Sequence, residues 1–227
     1  MFDKLTYIYK STEYGRIIMD KNTPTYRRMD KIILNAFIEI SQEMPFESIT
    51  VQKITDAALI SRYTFYMHFH DKYEVAERIQ DDLYQEFIHL IQKEIPAIDA
   101  TKSVAPNYQQ TLDVAIFEFY RKHAAQTQSI INIRTETIDF SGRMKTFLAQ
   151  NYKSRFPNHE NLDLEAMLYA NMSMTLAEYY TSNANSSITN KTMISSYIYA
   201  FLYAIGVQDE QPIQKEYNRF LQMKFPK

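Results

Sequence analysis

The sequence contains no cysteine and only three glycines among its 227 residues. The lack of cysteine excludes disulfide bridges, thiolate zinc sites and cysteine nucleophiles. The scarcity of glycine argues against a fold built on tight hairpins, and no stretch sustains the alternation of a β-strand. Long amphipathic stretches of good helix formers fill the chain instead. The sequence therefore predicts an all-α fold.

A long apolar run is also missing. No run approaches the roughly 18 apolar residues that a transmembrane helix needs. The N-terminal segment MFDKLTYIYKSTEYGR has no continuous apolar region after a basic start. The hydrophobic content of 45% argues against general disorder. We expect a folded, soluble protein in the cytoplasm that makes no contact with a membrane.

The sequence signatures of common enzymes are absent as well. No glycine-rich phosphate loop, G-x-S-x-G elbow, H-E-x-x-H pair or kinase motif occurs. His68 and His70 lie near Asp71 and Glu74, but two histidines one residue apart point in different directions. Asp71 is better placed to cap a helix than to bind a metal. We expect no enzymatic activity, no metal and no cofactor.

The most informative segment runs from Thr50 to Lys72, TVQKITDAALISRYTFYMHFHDK. Thr50 is placed to cap a first short helix, and Ser61 is placed to cap a second one. The second helix has Phe65 and Phe69 as its inward anchors. The apolar face of the first helix comprises Val51, Ile54, Ala57 and Ala58. Two capped helices joined by a tight corner are typical of a helix-turn-helix.

The remaining side chains of the second helix are expected to point outward, and they combine a fixed cation with aromatic rings and hydroxyl donors. Side chains of these types bind phosphates and recognise base edges. The outward set comprises Arg62, Tyr63, Thr64, Tyr66 and His68. The full set of residues predicted to contact double-stranded DNA adds Thr50, Gln52, Ser61 and Lys72.

The stretch PFESITVQKITDAALISRYTFYMHFHDKYE resembles the helix-turn-helix signature of the tetracycline-repressor (TetR/AcrR) family of bacterial transcription regulators. The resemblance covers roughly residues 26 to 79, and it includes the S-R-x-T-F-Y core and the H-F-x-D-K sequence that opens a fourth helix. It implies a repressor that binds a palindromic operator as a homodimer. It also implies a C-terminal domain that binds a small-molecule effector.

Two positions depart from the family pattern. The corner usually has glycine where this chain has Leu59, and the second helix often has glycine where this chain has Tyr63. Leu59 is therefore expected either to change the geometry of the corner or to adopt the left-handed conformation that glycine tolerates better. Because Tyr63 adds a side chain close to the bases, no operator sequence is carried over from the family.

The predicted organisation has three parts. Residues 1–23 form an extension that is either helical or disordered, and residues 24–72 form the helix-turn-helix domain. Residues 73–227 form a helical regulatory and dimerisation domain, which begins with a long helix capped by Asp71 and Glu74. The inward residues of that helix are Val75, Ile79, Leu83, Phe87 and Leu90.

The first helix of the DNA-binding domain is predicted from about Tyr26 to Glu43, and Pro45 ends it. Its apolar stripe comprises Met29, Ile32, Ile33, Ala36, Phe37 and Ile40. The net charge is only −2, and the cations of this domain are matched by as many acids. We therefore expect its cations to be segregated onto one face, with neutral donors supplying much of the phosphate contact.

The C-terminal part is predicted to be helical near residues 107–123, 125–135, 139–155, 163–183, 190–207 and 211–223. The helix at 190–207 is apolar on two faces near its end, so it needs cover on two sides. A second copy of the chain is the simplest source, with the helix at 163–183 completing a four-helix interface. A core helix in a monomer is the alternative.

Dimerisation would hold two recognition helices about 34 Å apart, on successive major grooves. An effector entering the C-terminal domain would change that spacing and lower the affinity for DNA. Aromatic and methionine side chains suitable for a pocket are plentiful there, but no individual ligand-binding residue stands out. A helical protein-interaction adaptor or co-activator that keeps the helix-turn-helix shape is the alternative function.

Overall fold

The computed structural model describes residues 23–94, 116, 118–155 and 157–182. Within these residues every regular element is helical, which confirms the predicted all-α class. None of the helices in this part of the chain combines the length and apolar character needed to cross a bilayer. The chain divides into two units, Met1–Val75 and Ala76–Lys227.

Four helical elements and the start of a fifth make up the described part of the first unit. Helix α1 begins after Thr23, whose Oγ1 accepts a hydrogen bond from the backbone N–H of Tyr26 at 3.2 Å. A proline at the first helical position suits this start because its missing N–H needs no partner. The elements are α1 (Pro24–Ser41), a 3-10 turn (Phe46–Ser48), α2 (Val51–Ala58), α3 (Arg62–Tyr66) and the first turn of α4 (Lys72–Glu94).

The two helices of the corner have the predicted caps. The Thr50 hydroxyl accepts the backbone N–H of Lys53 at 3.3 Å, and the Ser61 hydroxyl accepts that of Thr64 at 3.0 Å. Each bond satisfies one of the free N–H groups that a helix start leaves exposed. The caps therefore fix where α2 and α3 begin.

The start of α4 is also capped as predicted. Asp71 Oδ1 accepts the backbone N–H groups of Tyr73 and Glu74 at 2.8 and 2.9 Å. The Glu74 carboxylate in turn accepts the N–H of His70 at 2.6 Å, one residue earlier than in a standard capping box. The end of the turn that leads into α4 is thereby fixed.

The interior of the first unit forms where α1 packs on α2 and α2 on α3. One sequence expectation is wrong here, because Ala57 is exposed. The buried arc of α2 is instead centred on Ile54 and Thr55, whose hydroxyl donates to the Gln52 carbonyl at 2.8 Å and so can be buried. The buried apolar residues are Tyr26, Ile33, Ala36, Phe37, Ile40, Ile49, Ile54, Phe65, Phe69 and Val75.

Leu59 adopts the left-handed conformation that was one of the two expectations for the corner, with φ 54° and ψ 42°. Its N–H donates to the Asp56 carbonyl at 3.3 Å, and the N–H of Ile60 donates to the Thr55 carbonyl at 3.0 Å. This pair of bonds is a Schellman motif, in which glycine is the usual residue. The leucine therefore keeps the glycine geometry, at a conformational cost of about 1–2 kcal/mol.

Leu59→Gly is expected to raise the free energy of unfolding by about 0.5–1 kcal/mol. The relief of the left-handed strain exceeds the extra freedom of glycine in the unfolded chain, which is roughly 0.5–1 kcal/mol. The leucine side chain is 92% exposed, so almost no burial is lost. Urea unfolding followed by circular dichroism would measure the change, with Leu59→Ala as the control that keeps Cβ and the strain. A loss of stability in the glycine variant would contradict the expectation.

The second unit contains the rest of α4, helical residues 118–122, and helices α5 (Ala124–Ile130), α6 (Phe140–Arg155) and α7 (Leu162–Ser182). Helices α6 and α7 agree with prediction, and both α6 and α5 pack on α7. Four predictions fall wholly or partly outside the described residues: the structure of residues 1–22, most of the helix at 107–123, and the helices at 190–207 and 211–223.

The helix predicted at 125–135 ends at Ile130. Gln80 of α4 is buried, and its amide donates to the Thr137 carbonyl at 3.1 Å and accepts the N–H of Asp139 at 2.9 Å. The Thr135 hydroxyl accepts the N–H of Ile138 at 2.9 Å within the same segment. These bonds hold the segment directly before α6 as a turn.

Aromatic side chains fill much of the described core of the second unit. Phe87 lies with its ring centroid 5.2 Å from that of Phe119 and 6.0 Å from those of Tyr120 and Phe147. Burial raises the pKa of the Tyr120 hydroxyl, whose acceptor is a thioether sulfur at 3.8 Å. On the surface, a hydrogen bond from Lys122 lowers the pKa of the Glu86 carboxyl. Several of the aromatic side chains that would suit a ligand pocket thus serve as core.

Candidate nucleic-acid interface

Helix α3 is fixed to the first unit by its inward aromatic rings. Phe65 is fully buried and Phe69 nearly so, as predicted, with 6.1 Å between their ring centroids. Because one side of this short helix is anchored, its opposite side presents a defined set of groups. Arg62, Tyr63 and Tyr66 are on that side, and all three are exposed.

The three exposed side chains offer complementary chemistry. The guanidinium of Arg62 carries five N–H donors, and no salt bridge to it is found among the residues that the structure describes. Tyr63 and Tyr66 are 69% and 52% exposed, and each adds an apolar ring with a hydroxyl. Residues three and four apart are neighbours on a helix surface, so Arg62 and Tyr63 both lie beside Tyr66. The surface suits a partner that is anionic and also has flat apolar parts.

The expectation that His68 points outward is wrong. Its Nδ1 lies 2.6 Å from Oδ1 of Asp30, and its side chain is only 3% exposed. The ring centroid lies 4.0 Å from that of Tyr26, whose hydroxyl donates to the Met67 carbonyl at 3.2 Å. The physical reason is Asp30, a carboxylate on the inner face of α1 that needs a polar partner there. His68 joins the segment after α3 to α1 and does not face solvent.

Lys72 is engaged within the fold. Its Nζ donates to the carbonyls of Phe46 and Glu47 at 2.7 and 3.3 Å, and it lies 4.4 Å from the Phe46 ring centroid. Lys53 makes a similar bond to the Ser48 carbonyl at 2.9 Å. Both lysines thus hold the carbonyl end of the 3-10 turn. A phosphate would compete with these carbonyls for Lys72.

The other predicted contact residues lie at the surface. Thr50, Gln52 and Ser61 are exposed, and Thr64 is half-buried. The hydroxyls of Ser61 and Thr64 are 2.9 Å apart within the cap of α3. The Gln52 amide donates to the Asp56 carboxylate at 2.6 Å. These polar groups serve the helices first and retain further hydrogen-bonding capacity.

A row of exposed cations follows the N-terminal half of α1. Arg27, Arg28 and Lys31 are all exposed, and their spacing of three and four residues places them on one side of the helix. Tyr26 and Asp30, which contact the segment after α3, each precede one of these cations by a single residue. The cationic row thus lies on the helix that contacts the segment after α3.

Sequence reasoning missed Asp30 and Tyr26. A signal was present, because Tyr26 and Asp30 continue the spacing of Ile33, Phe37 and Ile40 along the buried face of α1. A carboxylate in such a stripe must find a partner or lose much solvation energy. The stripe did not indicate which residue the partner would be.

No protein-family profile matches the sequence, and no curated protein matches it. Within residues 23–94, 118–155 and 157–182, no group of three or more His, Cys, Asp or Glu side chains is arranged to hold a metal ion. The described surface of the first unit thus offers a cation, hydroxyls and aromatic rings on a short anchored helix.

Proposed function

We propose that the protein is a DNA-binding transcription regulator of the TetR-like type, a repressor that binds a palindromic operator as a homodimer. The observation that carries the proposal is the anchored helix α3 with its exposed group of Arg62, Tyr63 and Tyr66. A corner of two capped helices is the form in which many regulators insert a helix into the major groove.

Each exposed group has a role in such a complex. An arginine fork binds the O6 and N7 acceptors of guanine, or phosphate oxygens, with two parallel bonds. Tyrosine hydroxyls donate to phosphates, which fix the register of the protein on the duplex. Arg62 is assigned to a base edge or phosphate, and Tyr66 to a phosphate. His68 and Lys72 leave the set, because both are engaged within the fold.

The exposed cations of α1 support the same partner. Arg27, Arg28 and Lys31 are exposed on the helix that contacts the segment after α3, and we assign them to phosphate contacts. The overall charge of −2 does not oppose this, because the local field at the contact governs association. Glu39 lies in the C-terminal half of α1 and Glu43 follows the end of the helix, so both acids are separated along the chain from these cations.

An exposed apolar face on α7 supports the homodimer. Its residues recur over four turns of the helix, and such a face is typical of a surface that another chain covers. The exposed residues are Leu164, Met167, Leu168 and Tyr179. The same face would also suit a different protein, which is the observation that favours the alternative, an interaction adaptor. We propose that effector binding occurs in the second unit and releases the operator.

Arg62→Ala is expected to weaken duplex binding by about 10- to 100-fold, the effect of losing one good bidentate contact. The duplex would be selected by the wild-type protein from a randomised pool, labelled, and titrated by fluorescence anisotropy at two salt concentrations. Arg78→Ala is the matched control, because Arg78 is an exposed arginine that pairs with Asp82 on α4. This control changes the charge equally and should leave the affinity unchanged.

Sedimentation of the same complex should show two chains on one duplex. Wild-type affinity that does not fall with salt, or equal losses in the Arg62 and Arg78 variants, would refute the assignment of α3. Failure to select any duplex, together with a stable complex with another protein, would favour the adaptor.

A further inference from the structure

The corner before α3 carries an apolar side chain that the fold does not use. Within the described residues, Leu59 is the one non-glycine residue with a positive φ, and it is also the most exposed large hydrophobic residue. The two Schellman hydrogen bonds offset the backbone strain, but no contact in the described part of this chain buries the leucine side chain. Strain of this kind clusters at functional sites, which makes the corner a candidate for one.

The leucine is held in place. The Schellman hydrogen bonds from Leu59 and Ile60 fix the backbone of the corner, so the side chain projects from a defined position. Three residues later α3 begins with Arg62, and Tyr63 follows it. The apolar side chain of Leu59 therefore lies shortly before an arginine and an exposed aromatic ring.

The size and charge of this surface favour a nucleic acid over a protein. A stable protein interface takes roughly 20–30 residues a side, whereas the tip consists of Leu59 and the ring of Tyr63. Arg62 lies between Leu59 and Tyr63 in the sequence and adds a positive charge. That charge favours an anionic partner. In the major groove the apolar group displayed by the base edges is the C5 methyl of thymine. Leucine has no donor or acceptor with which to bind the other edges.

We propose that Leu59, together with the ring of Tyr63, contacts thymine methyl groups and makes thymine a preferred base in each half-site. This inference rests on the proposed DNA-binding function. It assigns specificity to the two positions where the chain departs from the glycine pattern. Arg62 and the phosphate contacts would supply affinity. Leu59 and the Tyr63 ring would supply the preference for thymine.

Deoxyuridine provides the test, because it lacks only the methyl group and keeps every hydrogen bond of thymine. Duplexes selected by the wild-type protein would be resynthesised with single thymines replaced by deoxyuridine. At the contacted position of a half-site, wild-type affinity should fall about fourfold, the factor for burying one methyl-sized group. Replacing the contacted thymine in both half-sites should lower the affinity about 16-fold. Replacing thymines outside the half-sites should leave the affinity unchanged.

Two variants connect this loss to the leucine. Leu59→Gly restores the residue that the left-handed corner favours, and Leu59→Asn tolerates that conformation while presenting a polar group. Circular dichroism would verify that both are folded. In both variants the affinities for the thymine and deoxyuridine duplexes should differ by clearly less than fourfold. Tyr63→Ala should reduce the difference between the duplexes and preserve salt-dependent binding.

The possible failures are distinguishable. Wild-type protein that binds both duplexes equally, or a Leu59→Gly variant that retains the fourfold difference, overturns this inference and leaves DNA binding standing. A Leu59→Gly variant that loses self-association while keeping the difference assigns the corner to a protein contact and also overturns it. If wild-type protein selects no duplex at all, both the inference and the proposed function fail.

Discussion

Phe65→Ala is expected to destabilise the first unit by about 3–5 kcal/mol and to abolish duplex binding. The phenyl ring is fully buried, and its centroid lies 5.5 Å from that of Tyr66 and 6.1 Å from that of Phe69. At roughly 0.05–0.15 kcal/mol per residue, a unit spanning Met1–Val75 has about 4–11 kcal/mol of stability. The cavity therefore removes a large part of it, and α3 loses its anchor.

Urea unfolding followed by circular dichroism would measure the loss. Tyr66→Ala is the matched control, because it removes the neighbouring aromatic ring from the exposed side. Tyr66→Ala should lower the free energy of unfolding by about 1 kcal/mol or less, the contribution of an exposed aromatic pair. It should nevertheless lower the affinity for the duplex. The two variants thus separate the support of α3 from its contact surface. Wild-type stability in Phe65→Ala would mean that α3 does not depend on this ring.

The sequence predicted those features whose causes are local. A cap needs only a hydroxyl or carboxylate next to a free N–H two or three residues later, so Thr50, Ser61 and Asp71 could be identified from spacing. The inward positions of Phe65 and Phe69 followed from helical periodicity alone. These local signals sufficed for the all-α class and for the start of each helix in the corner.

Features that depend on distant partners could not be predicted in this way. His68 is turned inward by Asp30, which lies 38 residues earlier. Lys72 is bound by the Phe46 carbonyl, 26 residues earlier. Gln80 holds the turn before α6 by bonding Thr137, 57 residues later. Spacing along the chain carries no information about which of these groups meet in space.

Leu59 is an intermediate case. The sequence left two expectations for the corner, and their energies differ too little for spacing to decide between them. The structure keeps the left-handed geometry, which allows the two Schellman bonds to satisfy free carbonyls of α2. The strain of about 1–2 kcal/mol is comparable to what two backbone hydrogen bonds contribute.

Asp30→Ala and His68→Ala are each expected to lower the free energy of unfolding by about 2–3 kcal/mol, because each leaves a buried polar group without its partner. Asp30 and His68 are only 11% and 3% exposed, so water cannot replace the lost bond fully. Asp82→Ala is the matched control, since Asp82 pairs with Arg78 at the surface. That pair should contribute about 1 kcal/mol or less.

The double variant with Asp30→Leu and His68→Leu tests whether the two side chains act as one unit. Replacing both by apolar groups removes the unpaired charge and dipole, so the double variant should be more stable than the sum of the two single leucine variants implies. Urea unfolding of the wild type, the two single leucine variants and the double variant would give the coupling free energy between the two side chains. We expect it to be at least about 1 kcal/mol. Additive losses would show that His68 does not depend on Asp30, and they would return His68 to the set of residues available for DNA.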